Sequence, residues 1–227
     1  VSDQQLDFIN KRVIPTHSPQ KGMGDIHLMG TNAQALSMNM KRLAEISGES
    51  QEFQSSSEGN IGKLEPNDRK ILVKIGAQVM FINNDTNRRW VNGTIGHVTG
   101  FDEDIDPETL EAIPVLLVKI QNGSEVRVLP NTWEISKYKF TKGIFSREQI
   151  GNFTQIPIKL AWAITVHKSQ GKTFEQVVID LGRGSFAHGQ TYVALSRCTS
   201  LEGLTLKQAI RQSDIIVDPE VLEFVGS

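Results

Sequence analysis

The strongest constraint on the fold is one stretch, residues 160–206, in which short apolar runs alternate with segments of helical spacing. Residues 161–170 contain no Gly or Pro and predict a helix. Residues 174–181 have the continuous Val-Val-Ile core of a strand that is buried on both faces. Residues 188–198 predict a second helix, and residues 201–206 a second strand. Strands and helices that alternate in this way predict an α/β fold with a parallel sheet flanked by helices.

The polar residues of this stretch gather near the predicted carboxyl ends of the strands. In open α/β sheets ligands bind at those ends. We therefore expect a binding site there. Its candidate side chains are Thr165, His167, Lys168, Ser169, Gln170, Lys172, Thr173, Gln190 and Arg197.

A second candidate site lies near the start of the chain. Residues 26–30 predict a short buried strand and residues 33–46 a helix, so Thr31 and Asn32 stand at a strand-to-helix junction. Free backbone N–H groups at such a junction favour an anion. From the residues alone two interpretations stay open: Thr31 or Asn32 caps the helix, or the junction binds a phosphate.

The middle of the chain has a different period. From residue 71 onward apolar residues alternate with polar ones, and Asn122-Gly123 predicts a hairpin turn. About five short strands with no helical pattern between them predict a small all-β barrel. The polar residues 49–60 predict an exposed loop before it, and residues 156–160 a strand that returns to the parallel sheet. The predicted domains are residues 1–70 and 156–227, two parts of one parallel-sheet domain, and a barrel insert at 71–155.

Charge and cysteine content exclude several classes of protein. The net charge is −2, but residues 137–172 carry seven Lys and Arg against Glu148 alone. We interpret this basic run as a phosphate track, and the acidic run at 101–114 as a solvated face. The lone Cys198 excludes an intramolecular disulfide and a cysteine zinc site. No second His or carboxylate stands at ligand spacing from His167, so we predict no metal site, and no run approaches the ~20 apolar residues of a membrane span.

Gly171-Lys172-Thr173 matches the end of a phosphate-binding loop, but we reject that interpretation. The loop requires a glycine five positions earlier, where this chain has Val166. The tripeptide is also predicted to follow a helix, whereas a phosphate-binding loop follows a strand.

Two phrases, AITVHKSQGKTF and GQTYVALSRCTSLEGL, resemble the last two signature motifs of superfamily 1 DNA helicases of the RecD/Dda-like group, which includes the PIF helicases. The phrase IHLMGTNAQALSMNMKRL resembles the group's "TN…N" motif, with Asn39 as the second Asn. The phrase GAQVMFINND…WVNGTIGHV resembles the sequence that leads into the group's SH3-like insert. The resemblance covers nearly the whole chain but only the C-terminal half of the helicase motor, because the Walker A and B elements are absent.

The resemblance implies the RecA-like second motor domain, with an SH3-like barrel insert, of an ATP-dependent 5′-to-3′ DNA helicase. It implies ATP and Mg²⁺ as cofactors, with Mg²⁺ held mainly by an N-terminal motor domain, and single-stranded DNA as a partner. Arg197 corresponds to a catalytic arginine finger on the γ-phosphate; the residues implied to bind ATP are Gly171, Lys172, Thr173, Gln190 and Arg197. Those implied to bind DNA are Thr31, Asn32, Asn39, Thr165, His167, Lys168, Ser169 and Gln170.

Other interpretations stay open. The chain could be a nucleic-acid-binding module without catalysis, or a protein-interaction module that acts through the barrel. Arg197 could instead bond the last carbonyls of its helix, a contact worth at most about 1 kcal/mol at an exposed site. We expect a monomer in the cytoplasm or at the nucleoid, and this fragment alone to be inactive.

Overall fold

The computed structural model describes residues 1–17, 25–107, 109–141 and 144–226. The chain divides into two compact units, one made of Val1–Arg42 and Ala161–Ser227, the other of Leu43–Leu160. The first unit therefore contains both ends of the chain. The predicted insert, residues 71–155, lies within the second unit, and its predicted boundaries stay a proposal.

The first unit contains a four-stranded parallel sheet. Its strands are β1 (Ile26–Met29), β12 (Ala163–Thr165), β13 (Val177–Asp180) and β14 (Leu204–Leu206), in the order β12-β1-β13-β14. All three pairings are parallel, and Ile26 and Leu28 are fully buried. The predicted α/β class with a parallel sheet is therefore confirmed.

Four α-helices accompany these strands in the described part of the chain. They are α1 (Asp3–Asn10), α2 (Asn32–Glu45), α3 (Gln190–Leu195) and α4 (Pro219–Gly226). Ser2 begins α1 with a capping box, in which its hydroxyl accepts from the Gln5 N–H and the Gln5 side chain accepts from the Ser2 N–H. None of the helices in these ranges is long and apolar enough to cross a membrane.

The predicted helix at residues 161–170 is wrong. Residues 161–166 are all buried, so the segment has no solvent-facing side and instead forms β12, followed by a 3-10 turn at His167–Ser169. The predicted strand at 156–160 is also misplaced, because β11 (Ile158–Leu160) pairs antiparallel with β5 (Gln78–Phe81) in the second unit. In the predicted helix at 188–198 we also expected Tyr192 on the apolar side, but its side chain is 76% exposed.

The second unit is built from three antiparallel sheets. Their strands are β2 (Gln51–Gln54), β3 (Ser56–Gly59), β4 (Lys70–Val73), β5 (Gln78–Phe81), β6 (Ile95–Ile105), β7 (Ala112–Ile120), β8 (Glu125–Val128), β9 (Asn131–Thr141), β10 (Ile144–Gln155) and β11. They pair in the orders β11-β5-β6-β7-β8, β3-β10-β9 and β2-β4. Within the described residues these sheets do not close, so the predicted SH3-like barrel is not confirmed.

Two local predictions in this unit, a hairpin and a loop, have different outcomes. The predicted hairpin at Asn122-Gly123 is confirmed: Gly123 has φ +87° and its N–H donates to the Ile120 carbonyl. The predicted loop at 49–60 is wrong, because β2 and β3 lie there and pair with β4 and β10. Those strands are polar and mostly exposed, so the alternation of apolar residues that marks a half-buried strand is missing.

Some predictions fall outside the described residues. They concern most of a Pro- and Gly-rich linker at 15–24, Glu108 in the acidic run, Lys142 in the basic run, and the predicted burial of Leu222 and Val225 in the terminal helix.

Candidate nucleotide and nucleic-acid interface

The parallel sheet brings the two predicted DNA-binding segments together. Met29, the last residue of β1, is in register with Thr165, the last residue of the neighbouring strand β12. Because the strands are parallel, both segments leave the sheet at the same edge. Thr31 and Asn32 therefore lie beside the turn that carries His167.

The junction at Thr31 is a capped helix start. The Thr31 hydroxyl accepts from the Gln34 N–H at 3.3 Å, while the Gln34 side-chain oxygen accepts from the Thr31 N–H at 3.1 Å. This reciprocal pair is a capping box. The structure thus contains the helix cap, one of the two interpretations that the sequence left open for this junction. Thr31 and Asn32 are both exposed, and their contact with DNA stays a prediction.

The turn after β12 has an inner and an outer set of side chains. Thr165 and Ser169 are buried; the Thr165 hydroxyl accepts from the Lys168 N–H at 3.3 Å, and the Ser169 hydroxyl donates to the Val166 carbonyl at 2.6 Å. His167, Lys168 and Gln170 are exposed. The buried pair shapes the turn, and the exposed three face solvent.

Asn39 occupies an inner position as well. Its amide nitrogen donates to the Ala163 carbonyl at 2.8 Å, and its amide oxygen accepts from the Ala163 N–H at 2.8 Å. The side chain is 8% exposed. In this geometry Asn39 ties α2 to β12. The contact of Asn39 with DNA that the resemblance implies stays a prediction.

Arg197 joins α3 to the same turn. Its Nε donates to the Val193 carbonyl at 3.0 Å and its Nη1 to the Lys172 carbonyl at 2.9 Å. A longer bond of 3.4 Å from Nη1 reaches the Ser169 carbonyl, and Nη2 donates to the Ser196 hydroxyl at 2.8 Å. The bond to the Val193 carbonyl is the helix-end contact that the sequence analysis gave as an alternative role for Arg197. The bonds to the Lys172 and Ser169 carbonyls are additional to that contact.

The remaining residues predicted to bind nucleotide surround Arg197 with mixed exposure. Gln190 is 9% exposed, and its side-chain oxygen accepts from the Phe186 N–H at 3.0 Å. Gly171 has φ +73° and open space around the position of a Cβ atom, Thr173 is exposed and Lys172 is half-buried. A ligand could therefore approach the backbone at Gly171 without displacing protein atoms.

Sequence reasoning missed one buried polar group on β1. His27 is 1% exposed, and neither of its ring nitrogens has a hydrogen-bond partner among the described residues. Burial lowers the pKa of His27 from 6.5 to about 4, so the ring is neutral at neutral pH. A single His within the apolar phrase IHLM carries no spacing that would have identified it.

Metal ligands are not assembled in the part of the chain that the structure describes. There, no three His, Cys, Asp or Glu side chains form a group that could hold a metal ion. Asp180, at the end of β13, accepts from the Gly182 N–H at 3.0 Å. The described residues thus do not by themselves form a Mg²⁺ site.

Comparison with known proteins identifies the relatives of this chain, although no protein-family model matches it. The chain is 34% identical over 230 residues to the ATP-dependent DNA helicase Pif1 of Bdellovibrio bacteriovorus, covering 99% of this chain and 47% of that protein. It is 36% identical over 192 residues to the ATP-dependent DNA helicase PIF1 of Xenopus laevis, covering 82% and 28% respectively.

Solved structures agree with these relatives. Unliganded Pif1 from Bacteroides sp has a TM-score of 0.82 and 30% identity, covering all of this chain and 50% of that one. Bacteroides Pif1 in complex with ADP-AlF4 gives a TM-score of 0.81 at 30% identity, with the same coverage. Bacteroides Pif1 bound to single-stranded DNA gives 0.72 at 31% identity, covering 99% and 49%.

These matches show strong homology to superfamily 1 helicases along the whole chain. More narrowly, the chain is homologous along its whole length to the Pif1 family. It spans 47% of the Bdellovibrio bacteriovorus protein, 28% of the Xenopus laevis protein and about half of each of these solved chains.

Proposed function

We propose that this chain is the C-terminal part of an ATP-dependent DNA helicase that moves 5′-to-3′ on single-stranded DNA. The observation that carries the proposal is the carboxyl edge of the parallel sheet, where Thr31, the turn at His167–Ser169 and Arg197 meet. The names of the relatives, and the nucleotide and DNA complexes among the solved structures, support this assignment. The cellular site would be the cytoplasm or the nucleoid.

Two kinds of residue serve DNA in this proposal. Exposed Thr31, Asn32, His167, Lys168 and Gln170 contact phosphates and bases. Buried Asn39, Thr165 and Ser169 hold those side chains at the sheet edge. Phosphate contacts dominate affinity for nucleic acid, so the exposed lysine carries a large share of the binding energy.

Arg197 is the proposed arginine finger. ATP, held between this chain and an N-terminal motor domain, supplies the γ-phosphoryl group that is transferred to water. A planar guanidinium can bond two of its oxygens at once and offset charge that develops on them. To do so, Arg197 exchanges its bonds to the Lys172 and Ser169 carbonyls for bonds to phosphate oxygens.

The other nucleotide contacts follow from exposure and ligand chemistry. Gly171 and Thr173 offer an accessible backbone, Lys172 a positive charge, and Gln190 a side chain on α3, the helix that ends two residues before Arg197. As the family resemblance implies, we assign most Mg²⁺ ligands to the N-terminal motor domain. In the same proposal the parallel sheet is the RecA-like second motor domain, and the second unit is its SH3-like insert.

The binding of a fluorescent oligo-dT to this chain at several salt concentrations tests the DNA site. We expect log K to fall with log salt by about 0.7 for each phosphate neutralised, and Lys168→Ala to reduce that slope by about one phosphate. Lys11→Ala, which removes another exposed lysine of the first unit, is the matched control and should leave the slope unchanged. Equal slopes for Lys168→Ala and the unaltered chain would refute the assignment.

A further inference from the structure

The hairpin of β9 and β10 forms a bare ribbon in the second unit. The third strand of its sheet, β3, pairs only with residues 151–154 of β10. Beyond that point residues 137–140 and 145–149 are all exposed, on both faces of the ribbon. A two-stranded ribbon without a covering layer contributes little to a core, so its side chains are free to serve another role.

One face of this ribbon presents three aromatic side chains. Phe140 pairs with Phe145 across the strands, and Tyr138 pairs with Arg147 in the adjacent same-face position. The exposed fractions are 74% for Tyr138, 64% for Phe140 and 77% for Phe145. The two phenylalanine rings lie 4.6 Å apart with planes inclined by 44°. Single exposed apolar residues are common on protein surfaces, but a contiguous patch marks a binding surface.

The charge around these rings indicates the kind of partner. Between Ser136 and Gln149 the sequence has four Lys and Arg residues and a single carboxylate, Glu148. Glu148 pairs with Lys139, and Arg147 lies 3.7 Å from the more distant Glu134. Cations interleaved with aromatic rings fit phosphates and unpaired bases together.

A second hairpin of the same unit provides a contrast. The β6–β7 hairpin also exposes apolar residues at its end, Ile105 at 65% and Leu110 at 78%. The sequence between them and on either side is acidic and has no aromatic ring from residue 102 to residue 114. Aromatic rings and positive charge therefore occur together in only one of these two hairpins.

We propose that the β9–β10 ribbon is an additional binding surface for single-stranded DNA, separate from the sheet-edge site. Tyr138, Phe140 and Phe145 stack on unpaired bases, while Arg147, on the same face of the ribbon, contacts a neighbouring phosphate. The choice of DNA over another polyanion rests on the proposed function. The surface itself rests on the register, exposure and charge of the ribbon.

The experiment measures binding of an oligonucleotide that contains 2-aminopurine, whose fluorescence is quenched when the base stacks on an aromatic ring. The variant Tyr138→Ala/Phe140→Ala/Phe145→Ala should weaken binding by about 10-fold or more and abolish the protein-dependent quenching, because loss of even one base–aromatic stack weakens binding by about that factor. Phe140→Leu keeps an apolar side chain and should lose part of the quenching. Ile105→Ala/Leu110→Ala is the matched control and should bind like the unaltered chain.

The outcomes separate this proposal from the sheet-edge site. If the aromatic variant keeps full affinity and quenching while Lys168→Ala loses affinity, the ribbon proposal is overturned and the sheet-edge site stands. If the aromatic variant loses both while Lys168→Ala does not, the ribbon stands and the sheet-edge site fails. A change in oligomeric state with unchanged DNA affinity would make the ribbon a protein contact and also overturn the proposal. Unfolding midpoints should be unchanged, because the three rings are exposed.

Discussion

Replacement of Arg197 separates the proposed catalytic role of this side chain from its structural role as a donor to backbone carbonyls. Its guanidinium makes three close hydrogen bonds of 2.8–3.0 Å and one of 3.4 Å. Two of the acceptors lie in the turn that follows β12. The sequence alone suggested a helix-end contact that contributes at most about 1 kcal/mol to the free energy of unfolding. The additional bonds increase the expected contribution of Arg197.

The structural part of the effect follows from those bonds. At about 1 kcal/mol for each close bond of a half-buried group, Arg197→Ala should lower the free energy of unfolding by about 3 kcal/mol. For a domain of this size that corresponds to a decrease in Tm of roughly 10 °C. Arg12→Ala is the matched control, since Arg12 also donates to backbone carbonyls, of Leu204 at 2.8 Å and Glu202 at 2.7 Å.

The catalytic part is measured on the full-length protein as steady-state ATP hydrolysis with saturating single-stranded DNA. Arg197→Ala should reduce kcat by roughly 10³-fold or more, about 4 kcal/mol of transition-state stabilisation, while ATP binding persists. Arg197→Lys should recover part of the stability but little of kcat, because an ammonium cannot bond two oxygens in a fixed plane. Arg12→Ala should lose stability and keep kcat. A near-normal kcat for Arg197→Ala would refute the arginine-finger assignment and leave a purely structural residue.

Two further predictions concern buried polar groups of the first unit. Asn39→Leu leaves the buried backbone of Ala163 unpaired, so we expect a loss of about 2 kcal/mol in unfolding free energy and weaker binding of single-stranded DNA. The control Asn10→Leu removes an equivalent pair of bonds to Ile210 and should lower stability alone. Equal DNA affinity for the two variants would contradict the positioning role of Asn39. Because the pKa of His27 is lowered in the folded chain, the unfolded chain binds a proton first as the pH falls, so the stability from this group should be complete above pH 6.5 and decrease by about 3 kcal/mol by about pH 4. His27→Leu should remove this decrease when unfolding free energy is measured by chemical denaturation at each pH. An unchanged pH profile in His27→Leu would contradict the prediction.

The sequence predicted the parts of the fold that depend on apolar periodicity. The strand at Ile26–Met29, the helix that follows it and the hairpin at Asn122-Gly123 all have a local pattern that matches their final burial. The convergence of Thr31 with Thr165 was not predicted, because it depends on β12, where the sequence predicted a helix. The three predicted features needed only local sequence information.

The failures occurred where tertiary contacts decide. Residues 161–166 lack Gly and Pro, which favours a helix. All six residues are buried, however, and the segment contains the edge strand β12, whose Ala163 backbone is bonded to the Asn39 side chain. The roles of Asn39 and Arg197 as braces depend on carbonyls more than twenty residues away, and no spacing in the sequence encodes such a bond. The polar strand β3 is specified by its pairing with β10, since all of its side chains are exposed.

ATP hydrolysis by this chain alone, compared with the full-length protein, tests the central claim that the chain supplies one half of a helicase motor. Phosphoryl transfer needs groups on both sides of the nucleotide. The account predicts no phosphate release above background from residues 1–227, with or without single-stranded DNA, and DNA-stimulated release from the full-length protein. DNA-stimulated phosphate release by the purified chain alone would contradict it.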